Sequence, residues 1–538
     1  MKKIASVLVM LAGFAAVFTG AAVQKTTKEN TTEFDRNKPG WEQYAKEPIT
    51  LDWYVNYSWF VTPWGENLVS KTITEETGVD VNFITPVGNE EEKLKALIAA
   101  DALPDLITLG WWEPQIDEIT QSDMVYALNE LADEYDPYFY KVCDNNAVSW
   151  YTYSDGNIYC YPCSSYSPSD LEEHNDIGSN QTFLVRKDIY EAIGSPDMTT
   201  PEGFADAVRK AAAAFPEVDG QPLIPIGAHV FDDTGCVSFD KYLQNFLAVP
   251  YEKDGKVYDR YTDSDYITWL KMFRQLGEEG YLASDIFVDQ RTQMSEKLAE
   301  GRYFCMLYQR TDIADQEKML YQTKPESIYI AVDGPRNAKG DAPVLPCSGI
   351  NGWTVTLVSK KCQYPERAIA FMNYLISERG QKLVYLGVEG ETYDTVDGQA
   401  LLKPEVKEML NTDRETYDAL YGADDAYWML QDNVLQMQWK QPLDEPMKQL
   451  EEWTYPYTQY LGEYDAVMPE GTAVGVAYTK INKLWSETLP RLLLADSEES
   501  FDAILEKFKN ERNILGFDKV NEEATRQMVE NKKRLQLK

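Results

Sequence analysis

Aromatic side chains directly follow two predicted strands, 49–55 and 103–109. In chain order they are Tyr57, Trp59, Trp111 and Trp112. A tryptophan or tyrosine ring can stack on the apolar face of a sugar ring, while polar neighbours hydrogen-bond the hydroxyl groups at its rim. Glu113, which comes next, could accept such hydrogen bonds or could simply be solvated. These residue types favour ligand binding at the ends of the two strands.

A position in the hydrophobic core is the alternative to a ligand site for some of these aromatic residues. Trp53 lies inside the first strand, so the core and a ligand site suit it equally. Trp111 and Trp112 are adjacent, and successive side chains of an extended segment point to opposite faces. At most one of the two can therefore face the core.

Catalysis has few candidate residues in this chain. The two histidines, His174 and His229, stand beside no nucleophile motif and no zinc-binding HExxH. A glycosidase needs two carboxylates that flank the scissile bond, and no segment isolates such a pair among the 88 acidic residues. We interpret the histidines as surface or loop residues and predict no catalytic residue, no metal site and no cofactor.

Seven cysteines are too sparse for a disulfide scaffold, and their odd number leaves at least one thiol free. Cys160 and Cys163 form a CxxC motif, which could be a redox pair or half of a metal site. The surrounding sequence is rich in turn residues, and no second CxxC follows. We interpret the pair as structural or incidental and leave open whether it forms a disulfide.

Length and charge narrow the classes of partner. The 538 residues exceed what one hydrophobic core supports, so two or more lobes are expected. A formal net charge of -37 disfavours nucleic acid and anionic lipid and tolerates neutral or cationic ligands. The 35 tyrosines and 13 tryptophans fit a protein that binds amphipathic ligands such as sugars.

Strands and helices alternate along the chain, which predicts parallel βαβ units. Helices at 66–78 and 89–101 separate the first three predicted strands. A later helix, 200–215, begins with Thr200 as N-cap and Pro201 at the first helical position. Further helices are predicted at 264–280, 293–301 and 364–380, with a strand at 302–308.

The first 21 residues have the pattern of a signal peptide. Lys2 and Lys3 precede an apolar segment, 4–18, that is short for a membrane span, and small residues follow it. This stretch would be a lipoprotein cleavage site if a cysteine stood at Ala21. The polar residues 22–48 predict a flexible linker, or alternatively an arm packed loosely on the domain.

Five segments stand in a characteristic order between about residues 49 and 395. They read ETGVDVNFITP with EKLKALIAADALPDLITL, DGNIYCYP, FLVRKDIYEAIGSPDMTTPEGF, KLAEGRYFCM and PERAIAFMNYLISERGQKLVYLGVEGETY. In order and spacing they resemble the extracellular solute-binding proteins of ABC importers, family 1, and most closely the LipO-type lipoproteins of Gram-positive bacteria. The chain departs from that pattern at Ala21, at Cys160 in place of a frequent glycine, and in a tail that matches no motif.

The resemblance implies an α/β, two-lobe, periplasmic-binding-protein-like fold of type II, with a ligand cleft between lobes that close by hinge motion. The chain would leave the first lobe near residues 160–180, return near 303–312 and cross again near 395. The implied division is signal peptide 1–21, linker 22–48, first lobe 49–165 and 303–395, second lobe 166–302 and 396–500, and C-terminal helical tail 501–538.

Residues near these crossings complete the candidate ligand site. The full set is Trp53, Tyr57, Trp59, Trp111, Trp112, Glu113, Tyr161, Tyr308, Arg310, Trp353 and Trp428. Trp428 lies in a segment with helical spacing, which makes a core role equally expected. Arg186 and Asp188 match a pair in the family pattern, and we interpret them as an ion pair that stabilises a lobe.

We therefore interpret the chain as the substrate-binding protein of an ABC importer, not an enzyme, that binds an oligosaccharide and delivers it to membrane permease subunits. The preference for sugar rests on the resemblance and on the aromatic residues. A secreted glycoside-active enzyme, or a cell-surface protein that binds peptides or other organic solutes, is the alternative.

We expect an extracellular monomer that binds no nucleic acid and is attached to a Gram-positive cell surface only through an N-terminal lipid. If Ala21 replaces an anchor cysteine in this version of the sequence, the protein is soluble. Otherwise the chain is cut after Ala21 or Ala22, or it keeps its apolar segment as an anchor.

Overall fold

The computed structural model describes residues 34–45, 47–88, 90–469 and 471–537. The predicted signal peptide and the first part of the predicted linker, up to residue 33, lie outside the described residues. No helix in the described ranges is long and apolar enough to cross a membrane.

The strands of the described chain are short, and most are separated by helices. In chain order they are β1 Ile49–Val55, β2 Val79–Ile84, β3 Leu106–Gly110, β4 Cys160–Pro162, β5 Gln181–Arg186, β6 Glu217–Val218, β7 Gln221–Pro222, β8 Ile224–Gly227, β9 Glu252–Lys253, β10 Lys256–Val257, β11 Tyr303–Gln309, β12 Tyr329–Ala331, β13 Leu345–Pro346, β14 Thr354–Val358, β15 Tyr393–Val396, β16 Gln399–Leu402 and β17 Thr458–Gln459.

The α-helices surround these strands. They are α1 Gly40–Tyr44, α2 Leu68–Thr77, α3 Glu90–Ala99, α4 Gln115–Gln121, α5 Leu128–Glu134, α6 Phe139–Val142, α7 Asn145–Trp150, α8 Pro168–Glu173, α9 Lys187–Ala192, α10 Pro201–Ala214, α11 Leu243–Phe246, α12 Ser264–Glu278, α13 Arg291–Ala299, α14 Ala314–Thr323, α15 Pro365–Ile376, α16 Glu378–Leu386, α17 Pro404–Thr412, α18 Arg414–Leu420, α19 Asn433–Gln436, α20 Met447–Thr454, α21 Ala473–Leu493, α22 Glu498–Leu515 and α23 Phe517–Arg534.

Local signals explain why several helices begin and end where they do. The side chain of Asn67 accepts a hydrogen bond from the backbone N–H of Ser70 and caps α2, which ends at Gly78 in the left-handed region. The predicted cap of α10 is confirmed, because the Thr200 side chain accepts from the N–H of Gly203.

The first sheet has the strand order β2-β1-β3-β14-β4. Strands β1, β2 and β3 are parallel, as predicted, whereas β14 is antiparallel to both of its neighbours. Consequently the ends of β1, β3 and β4 meet the beginning of β14 at one edge, where Thr354 pairs with Gly110 and Val355 with Pro162. We call this edge the carboxyl edge of the first sheet.

The second sheet has the strand order β12-β5-β11-β8. Strand β5 runs antiparallel to β11 and β12, while β8 is parallel to β11. Buried aromatic residues from later helices, including Trp269 and Trp485, pack in the core of this sheet. Arg186 forms the expected ion pair with Asp188, with 2.9 Å between Nη2 and Oδ2.

Three segments of the chain run side by side between the two sheets. Strands β13 and β17 from two of them form a parallel pair. Ser179, from the third, donates from its hydroxyl to the carbonyl of Pro346 at 2.7 Å, and its N–H donates to the hydroxyl oxygen of Thr458 at 2.9 Å. These short contacts join the segments through which the chain passes between the sheets.

Two segments lie with a different sheet from the one the sequence suggested. Strand β11, assigned to the first lobe, pairs instead with β5 and β8 in the second sheet, where its side chains are buried almost throughout. The chain therefore returns after β12, at residues 332–353, rather than near 303–312. Residues 404–430, assigned to the second lobe, supply Val406, Tyr417 and Trp428 to the core of the first sheet.

The predicted flexible linker is ordered in its final third. Helix α1 buries Trp41, whose ring lies 5.3 Å from that of Tyr138 and 5.6 Å from that of Tyr374. The N–H of Gly40 also donates to the carboxylate of Asp136 at 3.0 Å. A large buried indole thus fixes an arm whose polar composition alone suggested flexibility.

Candidate functional site

Four aromatic rings meet at the carboxyl edge of the first sheet. We call Tyr57, Trp59, Trp353 and Trp428 the aromatic cluster. The rings of Trp59 and Trp353 are 6.0 Å apart and 9° from parallel, and those of Trp353 and Trp428 are 4.4 Å apart. Tyr57 contacts all three, with ring separations of 5.4, 5.5 and 5.7 Å. All four residues were predicted from the sequence, and the structure brings them together.

Tight turns at the strand ends position these rings. After β1, the N–H of Tyr57 donates to the carbonyl of Val55 and the N–H of Phe60 donates to that of Tyr57. Before β14, Gly352 has a φ of +70°, and a Cβ added to this residue would lie 2.1 Å from the carbonyl oxygen of Cys163. Only glycine allows this close approach, which delivers Trp353 to the cluster.

The cluster combines exposed rings with buried polar atoms. Trp59 is 51% exposed and Trp353 is half-buried, whereas Tyr57 and Trp428 are buried. The hydroxyl of Tyr57 and the Nε1–H of Trp428 find no hydrogen-bond partner among the described residues. Burial, and next the charge of Glu113, raise the pKa of Tyr57, so the phenol keeps its proton. Both groups are therefore available as donors.

Trp111 and Trp112 extend the carboxyl edge beyond β3. Their rings lie 5.9 Å apart in an edge-to-face arrangement, with Trp112 44% exposed and Trp111 half-buried. The N–H of Trp111 donates to the carbonyl of Trp353 at 3.4 Å, which links this pair to the cluster. Glu113 follows them and is half-buried.

Four predicted site residues lie outside the cluster, and three of them are buried in the interior. Trp53 is 1% exposed, and its Nε1–H donates to the hydroxyl of Thr108 at 2.8 Å. Tyr161 and Tyr308 are buried, and the Tyr161 hydroxyl accepts from the N–H of Asp144. Arg310 is held by Glu451 at 2.7 Å. Strand residues inside the two sheets are enclosed on both faces, so their aromatic character serves packing.

A polar network beside the cluster was not predicted from the sequence. Asn351, two residues before Trp353, accepts from the indole N–H of Trp150 at 2.7 Å and donates to the carboxylate of Asp465 at 3.0 Å. Burial raises the pKa of Asp465 to about 6. The motif NGWT contains Asn351, but no local pattern could have pointed to Asp465, which approaches from a segment far along the chain.

The corresponding edge of the second sheet carries polar groups. Gln309, at the end of β11, donates to the hydroxyl of Tyr242. His229, which follows β8, lies 5.7 Å from the ring of Tyr308, and its burial lowers its pKa. The imidazole is thus a neutral hydrogen-bonding group and stands in no catalytic arrangement with a described nucleophile.

The CxxC cysteines are buried free thiols. Burial raises the pKa of both Cys160 and Cys163, and the sulfur of Cys163 lies 3.1 Å from the hydroxyl of Thr354. The described residues contain no group of three or more His, Cys, Asp or Glu side chains that could hold a metal ion.

A family model and a curated relative match the sequence. The model of the bacterial extracellular solute-binding proteins matches residues 69–390. The polygalacturonan/rhamnogalacturonan-binding protein YtcQ of Bacillus subtilis (strain 168) is 23% identical over 365 residues, which cover 65% of this chain and 68% of the relative.

Solved structures share the fold. The alginate-binding protein AlgQ2, in a crystal structure without calcium ion, matches with a TM-score of 0.66 and 17% identity over 89% of this chain and 98% of its own. The ABC-transporter substrate-binding protein FusA of S. pneumoniae, in complex with kestose, matches with a TM-score of 0.70 and 15% identity over 90% and 100%. At such identities the likeness shows the two-lobe α/β fold and nothing more. Since the family model spans more than half of the sequence, this chain belongs to the bacterial extracellular solute-binding proteins.

Proposed function

We propose that this protein is the substrate-binding component of an ABC importer and that it binds an oligosaccharide at the aromatic cluster. The observation that carries the proposal is the combination of exposed stacked rings with two buried donors that lack partners among the described residues. The bound sugar would then pass to membrane permease subunits. Nothing in this role requires a chemical step or a cofactor.

The rings supply the apolar half of sugar recognition. The exposed face of Trp59 and the half-buried ring of Trp353 lie side by side, where the C–H face of a pyranose or furanose could stack. Trp112 offers a further exposed ring on the same edge of the sheet. Several rings at one edge suit a chain of sugar units better than a single one.

The donors supply the polar half. A buried hydroxyl or indole N–H without an acceptor costs free energy comparable to a lost hydrogen bond, so a native structure seldom leaves two in one place. A sugar hydroxyl oxygen that entered the cluster could accept from Tyr57 or Trp428. Binding would thereby satisfy groups that folding alone leaves unsatisfied.

The comparisons support a sugar ligand without identifying it. YtcQ is named for polygalacturonan and rhamnogalacturonan, and FusA was solved with kestose. These ligands differ in linkage and charge. The proposed contact residues here are Tyr57, Trp59, Trp111, Trp112, Glu113, Trp353 and Trp428.

We also propose that the protein acts outside the cell as a monomer, held at the surface of a Gram-positive bacterium by an N-terminal lipid. The signal-peptide pattern and the family support export. A diacylglycerol-modified cysteine at position 21 of the protein from native cells would support the anchor, and an unmodified N-terminus at Ala22 or Val23 would exclude it.

A thermal-shift and calorimetric screen of the purified mature protein against oligosaccharides tests the binding role. A ligand at 100 times its Kd should stabilise the protein by about 2.7 kcal/mol, and chromatography should recover the sugar intact. Cleavage of the sugar would overturn the proposal in favour of an enzyme. Stabilisation by peptides but by no sugar would overturn the choice of ligand.

A further inference from the structure

We infer that the aromatic cluster accepts electrically neutral sugar units and discriminates against uronic acids. This inference rests on the proposed function and adds the chemical class of the ligand. It arises from the charges that surround the cluster, which the sequence alone could not place.

Two carboxylates act on the cluster, those of Glu90 and Glu113. An oxygen of Glu90 accepts hydrogen bonds from both the N–H of Ser58 at 2.8 Å and its hydroxyl at 3.0 Å, which fixes this charge beside Tyr57 and Trp59. Glu113 follows the exposed Trp112. After burial, the charges of Glu113 and Glu90 are among the causes that raise the pKa of Tyr57, and no cation is among those causes.

Further carboxylates lie along the same edge. The charge of Asp432 is among the causes that raise the pKa of the buried Tyr161 and of the half-buried Tyr166. Asp465 accepts a hydrogen bond from Asn351, which lies near Trp353 in the chain. The pKa of Asp432 and that of Asp465 are each raised to about 6 by burial, so both groups are ionised at neutral pH. The negative field therefore extends beyond Glu90 and Glu113.

The cations that reach this edge are balanced by acids. The positive charge of Arg310 acts to lower the pKa of Tyr166, but Arg310 forms an ion pair with Glu451 at 2.7 Å. The positive charge of Lys241 acts to lower the pKa of Asp465, and the negative charge of Asp465 compensates it. Arg534, whose guanidinium carbon lies 4.0 Å from the ring of Trp150, is opposed by the charge of Glu530. A ligand carboxylate at the rings would therefore meet the like charges of Glu90 and Glu113, while these cations already face acids.

Neutral and acidic sugars differ in the electrostatic cost of reaching the same donors. A neutral hydroxyl can accept from Tyr57 or Trp428 at no electrostatic cost. A uronate could accept from them too, but it would stand among Glu90 and Glu113 in a partly buried site, where repulsion between like charges is stronger than in water. Neutral units are favoured by this difference.

Matched ligand pairs test the inference. We would measure Kd by calorimetry at pH 7 for trigalacturonate and its full methyl ester, for trimannuronate and its full methyl ester, and for neutral fructo-, manno- and cello-oligosaccharides. Each ester should bind at least tenfold more tightly than its acid, and the tightest ligand should be neutral. An acid that binds as tightly as its ester, or more tightly than every neutral sugar, would overturn the inference while leaving the proposed function intact.

The absence of binding by every sugar in the set would overturn the proposed function together with this inference. A charge-removing variant adds a second readout. Glu90→Gln keeps the side-chain oxygen that Ser58 contacts but removes the charge, so the acid-to-ester ratio of Kd should shrink at least threefold. Glu405→Gln, on the exposed start of α17, should leave the ratio unchanged. An unchanged ratio in Glu90→Gln and in Glu113→Gln would show that these charges do not select the ligand.

Discussion

The rings of Trp59 and Trp353 lie 9° from parallel at a separation of 6.0 Å, although one follows the first strand of the first sheet and the other precedes a strand late in the chain. Their contact exists because β14 runs antiparallel to β3, which brings its beginning to the edge where the parallel strands end. Such closely spaced rings contact each other, so a ligand would stack on their outer faces.

Removal of either ring should weaken ligand binding without unfolding the protein. Trp59→Ala and Trp353→Ala each remove a stacking surface worth about 1–3 kcal/mol, which corresponds to about fivefold to 150-fold in Kd. Trp59→Phe should retain part of the affinity. Isothermal titration with the best sugar measures the effect.

Tyr364→Ala is the control for those variants, because Tyr364 is also an exposed aromatic residue but precedes α15 away from the cluster. Its Kd should equal that of the wild type. If both tryptophan variants bound sugar as tightly as the control, the aromatic cluster would not be the site.

Gly352→Ala should disturb the site through the backbone. The added Cβ would meet the carbonyl oxygen of Cys163 at 2.1 Å, and that oxygen also accepts from the N–H of Trp353. We expect a loss of about 1–3 kcal/mol in the free energy of unfolding and weaker sugar binding, measured by urea unfolding and calorimetry.

Gly340→Ala is a matched control for that substitution. Gly340 has a φ of +74°, close to that of Gly352, but nothing lies within 4 Å of its added Cβ. It should therefore show the cost of the left-handed backbone alone and normal binding. Equal losses in the two variants would mean that the clash with Cys163 is relieved without moving Trp353.

The sequence predicted the parts of the fold that depend on local pattern. Alternating apolar residues indicated β2, and a proline after a threonine indicated the start of α10. The assignment of β11 to a sheet could not be read in this way, because a strand buried on both faces carries no periodic signal of which neighbours it pairs with. The order of the strands in the folded sheet determines which neighbours β11 pairs with.

The candidate site was predictable to a similar extent. Tyr57 and Trp59 were found because they follow the end of a predicted strand, and Trp353 because it lies near a predicted crossing between the lobes. Trp53 was included for its residue type and Tyr308 for its position at the end of the strand predicted at a crossing, and the structure shows that the sheets enclose both. Asp465 could not be found, since its contact with Asn351 joins segments that no local pattern connects.

The cysteines should behave as inert thiols in the native protein. Cys160 and Cys163 are buried, and burial raises the pKa of the half-buried Cys143 to about 11 and that of Cys347 to about 12. Ellman's reagent at pH 7.5 should react slowly with the native protein and with seven thiols after denaturation. A Cys160–Cys163 disulfide in the purified protein, seen as a mass lower by two hydrogens, would contradict this expectation.

The last helix should support the site from a distance. The guanidinium carbon of Arg534 lies 4.0 Å from the ring of Trp150, whose indole N–H is bonded to Asn351. Arg534→Ala should lower the free energy of unfolding by about 1 kcal/mol and weaken sugar binding a few-fold, because Asn351 precedes Trp353. Lys533→Ala, an exposed neighbour on α23, should do neither. Identical unfolding curves and Kd values for the two variants would show that α23 does not support the site.

A buried carboxyl group in the second half of the chain should make stability depend on pH. Glu317 is 0% exposed, and each of its carboxylate oxygens lies 3.0 Å from the backbone nitrogen of Tyr329. Burial raises its pKa from 4.5 to about 8 in the folded protein. Between those values the folded state holds a proton that the unfolded state releases, so this group's contribution to stability is full below about pH 4.5 and falls as the pH rises through about 8.

Glu317→Gln removes this proton uptake while keeping a similar shape. The free energy of unfolding of the wild type relative to the variant should therefore fall by about 1.4 kcal/mol for each pH unit between about pH 5 and 8. Urea unfolding at several pH values measures the difference. Because any pH dependence shared by both proteins cancels in the comparison, parallel profiles would show that the Glu317 carboxyl group ionises in the folded state as easily as it does in the unfolded chain.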